Sequence, residues 1–119
     1  MNKEKAKIIY DALDEKKANR ISVIDIEKIS VLADCFMIAD GENKNQVQAM
    51  ADNVEEEMLK AGYHCKSITG YQSGSWILMD YQDIVVHIFG REDRMFYDLE
   101  RLWRDGRQVQ KEELMQEKD

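Results

Sequence analysis

Apolar residues recur along the chain with two different periods, and the places where the period changes mark the elements. Ala6, Ile9, Tyr10 and Leu13 fall at i, i+3, i+4 and i+7 with Lys and Glu between them, the stripe of an amphipathic helix. That helix is expected to end near Lys17, Ala18 and Asn19, where basic side chains suit the C-terminal dipole. Ile21 to Ile26 is β-branched and almost continuous, which predicts a buried strand. Cys35 to Ala39 predicts a second, closed by the turn signal Asp40-Gly41. Between them, Glu27 to Asp34 carries Ile29, Val31 and Leu32 and is expected to pack on the sheet as a compact connection.

Helical spacing returns with Val47, Met50, Ala51, Val54 and Met58. Asn43 is placed to cap this helix, Gln46 follows three residues later as in a capping box, and Gly62 supplies the stop. Its methionines read as core filler. A short strand is expected around Cys65 to Thr69, followed by the loop Gly70 to Ser75. Trp76 to Asp80 and Ile84 to Phe89 then flank Tyr81-Gln82-Asp83, a connection short enough to demand an antiparallel hairpin. Neither arm alternates cleanly, so both faces are expected to be largely covered. Strand parity puts His87 with Val85 and Phe89 and sets Val86 opposite.

After Gly90 a last helical stretch opens, with Met95, Phe96, Leu99, Leu102 and Trp103 as its apolar stripe. From Arg104 onward charge dominates. Residues 1–105 therefore read as a single domain, and 106–119 as a charged tail, frayed helix or disordered. The order α, β, β, α, β, β, β, α predicts an α+β fold: a mixed sheet of about five strands with helices packed on it. The helix between the second and third strands permits a parallel crossover, while the final hairpin is antiparallel.

Composition narrows the function classes. A chain of 119 residues supports one core, and no stretch approaches the roughly 20 apolar residues of a membrane span. The N-terminus runs into an amphipathic segment rather than an apolar signal core, and the two cysteines lack a disulfide spacing. Both features predict reduced thiols and a cytoplasmic protein without a membrane partner. The net charge of −7 opposes direct binding of nucleic acid and favours encounter with a basic protein.

Chemistry-bearing clusters are sparse. Asp25 and Glu27 sit two apart and offer a paired-carboxylate Mg²⁺ site for nucleotidyl transfer. Such a site also needs a phosphate cradle. The loop Gly70 to Ser75 leads into a strand and carries no Lys, and Asp40-Gly41-Glu42-Asn43 places acids where phosphates would sit. Cys35, His64, Cys65 and His87 show no metal-ligand spacing. No catalytic, cofactor or metal set is expected. The run Glu55-Glu56-Glu57 reads as a solvated helix face, and Arg91, Arg94, Arg101, Arg104 and Arg107 are interspersed with acids. Trp76, Tyr81, Arg94 and Tyr97 have the chemistry of an interface hot spot and equally that of a core periphery.

Several motifs occur together. They are Asp25 after an aliphatic strand, Ala33-Asp34-Cys35-Phe36-Met37-Ile38-Ala39 with Gly41, and Val47-x-x-Met50-Ala51-Asp52. With them come Gly74-Ser75-Trp76-Ile77-Leu78-Met79-Asp80-Tyr81, Val85-Val86-His87-Ile88-Phe89, and the closing run from Arg94 to Trp103. In combination they resemble the ribosomal silencing factor family, also called Iojap-like proteins, over roughly residues 5–105. Lys44-Asn45-Gln46 departs from the Arg-His often found early in that family's central helix. The resemblance implies a nucleotidyltransferase-like fold used without catalysis. It implies a translation repressor that binds a basic large-subunit ribosomal protein on the inter-subunit face and sterically blocks joining of the small subunit. The rivals are a Mg²⁺-dependent nucleotidyltransferase using Asp25 and Glu27, and a large-subunit assembly factor. The expected partner-binding residues are Trp76, Asp80, Tyr81, His87, Arg94 and Tyr97, and the surplus of apolar surface predicts a free protein able to form a two-fold homodimer.

Overall fold

The computed structural model describes residues 1–116. Helix α1 (Lys3–Glu15) is capped by Asn2, whose side chain accepts the Lys5 N–H, and buries Ala6, Ile9, Ala12 and Leu13. Strands β1 (Asn19–Asp25) and β2 (Cys35–Gly41) pair antiparallel, with a register shift between Asn19 and Ser22. Every residue of β2 is buried, as befits the inner strand of a two-sided sheet.

Helix α2 (Lys44–Lys60) begins as its sequence suggests, with the Gln46 N–H donating to Asn43 Oδ1 at 2.8 Å. The return half of the capping box is displaced by one residue: Gln46 Oε1 accepts from the Glu42 N–H. The same amide donates to the carbonyls of Lys16 and Lys17, which ties the end of α1 to the start of α2. At the other end Gly62, at φ 90°, closes a Schellman motif: Tyr63 N–H bonds the Met58 carbonyl and Gly62 N–H that of Leu59, each at 2.9 Å.

Strands β3 (Ser67–Thr69), β4 (Trp76–Asp80) and β5 (Ile84–Gly90) follow, with β4 and β5 forming the expected hairpin. Its turn is held by the Tyr81 N–H on the Ile84 carbonyl and by Asp80 Oδ1, which accepts the Gln82 N–H at 2.7 Å. The sheet order is β3-β4-β5-β2-β1-β6. The parallel pair is β2 with β5, so the crossover encompasses α2, β3 and β4 rather than α2 alone. One face carries the larger core beneath α1 and α2. The other carries a smaller one of Ile24, Ile26, Ala33, Phe36, Ile38 and Phe89.

Two expectations are corrected here. The last helical stretch is broken: α3 (Arg91–Tyr97) and α4 (Leu99–Leu102) are separated by Asp98 in the left-handed region at φ 47°. The break splits the predicted stripe, so Leu99 and Trp103 turn onto the small core while Met95, Phe96 and Leu102 stay 77%, 81% and 73% exposed. The segment read as a tail is folded as far as it is described. Arg107–Gln108 forms β6 on β1, and Lys111–Met115 forms α5 against α1, burying Val109 and Leu114. Val109, Leu114 and Met115 have no helical period. They are fixed instead by the Val109 N–H on the Val23 carbonyl and by a two-pronged pairing of Arg107 with Glu113 at 2.9 and 3.0 Å. Residues 117–119 lie outside the described residues.

Candidate protein interface

On β4 and β5 the cross-strand register is Trp76 with Phe89 and Leu78 with His87, which places Trp76, Leu78, Asp80, Val85, His87 and Phe89 on the face away from α1 and α2. Among the described residues the helices on that face are α3 and α4, of 7 and 4 residues, joined by Ile26 and Ala33 of the connection after β1, a cover too short to roof six strands. What they leave open is aromatic. Tyr97 lies tilted against Trp76 with ring centroids 4.6 Å apart, and Trp76 lies 4.9 Å from Phe89. Phe96 meets Tyr97 edge-on at 5.1 Å. Deeper in, Phe36 bridges His87 at 4.7 Å and Trp103 at 5.1 Å. Met95, Phe96, Tyr97 and Leu102 border an open depression of about 730 Å³ rimmed by Asp98, Arg101, Arg104 and Asp105.

The loop before β4 places Trp76. Gly70 adopts φ 78°, and a Cβ there would lie on the Trp76 carbonyl, so only glycine permits this approach. The indole N–H of Trp76 donates to His87 Nδ1 at 3.1 Å. His87 is 4% exposed, its Nε2 has no hydrogen-bond partner among the described residues, and burial pushes its pKa down to about 4.

Of the six residues expected at the partner site, the structure brings Trp76, His87 and Tyr97 together and separates the others. Asp80 shares their face but lies four residues along β4 from Trp76, about 13 Å at strand rise, with its carboxylate engaged in the hairpin turn. Tyr81 is 3% exposed within the core beneath α1 and α2 and cannot be a contact anchor. Its hydroxyl has no partner among the described residues, and burial raises its pKa. Removing that group relieves a desolvated polar atom, so Tyr81→Phe is expected to leave stability unchanged or raise it by about 1 kcal/mol in urea denaturation. A loss above that would reveal a hydrogen bond to the hydroxyl.

Arg94 is likewise buried, at 3% exposure, and faces β1 and β2. Its guanidinium donates to both Glu100 oxygens at 2.9 and 3.0 Å, to Asp40 Oδ1 at 2.8 Å, to Ser22 Oγ at 3.0 Å and to the Arg20 carbonyl. Burial alone would lower the Arg94 pKa, yet Glu100 and Asp40 raise it; burial would raise that of Glu100, yet Arg94 and Ser22 hold it below the ordinary carboxylate value. Arg94 is a clamp joining α3, α4, β1 and β2, not a surface contact. The residues missing from the expected partner site are Met95, Phe96 and Leu102, which the sequence shows only as members of the last apolar stripe.

The paired carboxylates are engaged elsewhere. Asp25 Oδ1 accepts the Glu27 N–H, its Oδ2 faces Arg107 at 3.4 Å, and Glu27 pairs with the N-terminal ammonium at 3.4 Å. Among the described residues no three of His, Cys, Asp or Glu are grouped to hold a metal ion. Burial, with Asp25 nearby, pushes the Cys35 thiol up to about 12 and keeps it protonated. No helix among the described residues is long and apolar enough to cross a membrane.

The fold and this face define a small α+β protein with an aromatic surface left uncovered beside two short helices. The family model described as ribosomal silencing factor during starvation matches residues 1–119. The ribosomal silencing factor of Bacillus subtilis is 39% identical over 100 residues, covering 84% of this chain and 85% of the relative. That of Halalkalibacterium halodurans is 36% identical over 111 residues, covering 93% and 95%. A crystal structure of a protein from Bacillus halodurans superposes with a TM-score of 0.82 at 34% identity, covering 92% of this chain and 99% of that one. The chain belongs to the ribosomal silencing factor family, and its function is ribosome-associated regulation of translation.

Proposed function

We propose that this protein represses translation in the cytoplasm by binding a basic protein on the inter-subunit face of the large ribosomal subunit and sterically blocking the small subunit, without catalysis. The observation that carries the reading is the exposed ridge of Met95, Phe96 and Leu102 beside Tyr97 and Trp76. Aromatic and methionine side chains exposed together are the usual centre of a protein interface. The net charge of −7 speeds encounter with a basic partner. Asp98 and Asp105 supply carboxylates on the rim of the depression, beside Arg101 and Arg104. The ion pairs already made by Asp25 and Glu27 favour a structural role for them over transferase chemistry.

Co-sedimentation with purified large subunits, with and without added small subunits, tests the proposal. The parent protein is expected to pellet with large subunits and to lower the yield of joined ribosomes. Phe96→Ala removes an exposed side chain and should leave the fold intact. It is expected to cost about 2 kcal/mol of binding, or about thirtyfold in affinity. Folded Phe96→Ala and Met95→Ala proteins that block joining at parental concentrations would place the interface elsewhere, the Glu55-Glu56-Glu57 face being the next candidate. The free protein pairs the same ridge against a second copy, so dimerisation and subunit binding compete.

A further inference from the structure

We infer that His87 is a positioning residue for the partner-binding face: its Nδ1 fixes the indole of Trp76, and through that indole the orientation of the exposed aromatic ridge. The inference rests on the docking role proposed for that ridge. His87 itself is too buried to touch a partner. Yet it makes a polar contact that reaches the surface, because Trp76, half-buried at the start of β4, turns its single polar group inward onto Nδ1 at 3.1 Å. What the indole then presents outward is hydrocarbon. The ring lies against Tyr97 at 4.6 Å, and Tyr97 meets Phe96 at 5.1 Å, so a rotation of the indole displaces the side chains beyond it.

The cost of this arrangement is visible in the same imidazole. An Nδ1 that accepts the indole N–H belongs to a neutral ring whose proton sits on Nε2, and that nitrogen is buried without a partner among the described residues. An unpaired buried donor destabilises the fold, and an apolar side chain on this aromatic-lined face would avoid the penalty. The other nitrogen is what the site uses. Burial keeps the ring neutral, as an acceptor at Nδ1 requires. The rings packed against it, Phe36, Phe89 and Trp76, are uncharged.

The chain has two tryptophans, so a ¹⁵N spectrum of the free protein shows two indole signals, and Trp76→Phe assigns them. In the parent, scalar coupling across the N–H···N bond is expected between Trp76 and His87; its absence overturns the inference without any variant. His87→Leu removes the acceptor and is expected to weaken large-subunit binding about tenfold, but less than about twofold when Trp76 is already Phe, because the two act as one unit. An equal loss in both backgrounds, or no loss in a folded His87→Leu protein, overturns the positioning role. If His87→Leu does not fold, His87→Gln keeps an acceptor and is expected to hold the indole signal and bind within about threefold of the parent; a folded His87→Gln protein that loses binding while keeping the indole bond also overturns it. Failure of the docking reading looks different: Trp76→Ala and Phe96→Ala then bind as the parent does, while the coupling persists.

Discussion

Arg94→Leu is expected to lower the free energy of unfolding by about 3–5 kcal/mol, the range for breaking a buried ion pair from one side. The substitution removes the charged partner of Asp40, itself only 6% exposed and left with the Asn19 amide, takes the guanidinium donor from the Arg20 carbonyl, and releases Glu100 and Ser22. For a domain whose whole stability is of order 5–15 kcal/mol this is a large fraction. Arg94→Lys keeps the charge but cannot span two carboxylates and a carbonyl with a planar fork, so it should recover only part of the loss. Urea denaturation measures both. A loss under about 1 kcal/mol for Arg94→Leu, with an unchanged m-value, would mean that water replaces the guanidinium and the clamp is not structural. Because Met95, Phe96 and Tyr97 follow Arg94 directly on α3, proteins that survive the substitution should also show faster amide exchange in α3 and α4 than in α2.

Stability should fall as pH is lowered from about 6.5 to about 4, and His87 is the cause. In the folded protein burial holds its pKa near 4, against an ordinary value of 6.5 in the unfolded chain. Between those values the unfolded state binds a proton that the folded state does not, so stability rises with pH. The contribution is fully present above pH 6.5 and is lost as pH falls toward 4, about 3 kcal/mol in all for this nearly inaccessible ring. Glu100, held below its ordinary value by Arg94, pulls in the same direction at lower pH. The difference between the parent and His87→Leu therefore isolates the imidazole. Chemical denaturation across this window should show a slope about one proton shallower in the variant, and equal slopes would place the titration on another group.

The parts of the fold that were legible in the sequence are those with local signals. Ala6, Ile9 and Leu13 located α1, Asn43 and Gly62 bracketed α2, and the three-residue connection after Asp80 defined the hairpin and the shared face of His87 and Phe89. The illegible parts depend on partners far along the chain. Nothing near Arg94 announces that its side chain will meet Asp40 and the Arg20 carbonyl. Strand β6 is defined by its pairing with β1, Ile24 with Gln108 and Asp25 with Arg107, rather than by any strand preference of Arg107-Gln108. Asp98 breaks the last helix without glycine or proline to mark it, since a short polar side chain tolerates the left-handed region. Tyr81 is a different case. Trp76, Leu78 and Asp80 alternate with Ile77, Met79 and Tyr81, so parity carried through the last strand residue would have put Tyr81 in the core.

The parallel pairing of β2 with β5 also sets the order in which the molecule can assemble. Strands β4 and β5 can zip through their own short turn, but β2 meets its partner only after α2, β3 and β4 have been placed between them. Closing so long a loop is entropically slow, so that contact, rather than any single hairpin or helix, is where the folding barrier should lie. The chain contains no proline, and no prolyl isomerisation is superimposed on it. During synthesis from the N-terminus the most buried strand of the sheet is made early and left unpaired on one edge until residue 90 has emerged. Nascent chains halted before that point carry an open apolar edge, the condition under which strands of separate molecules join.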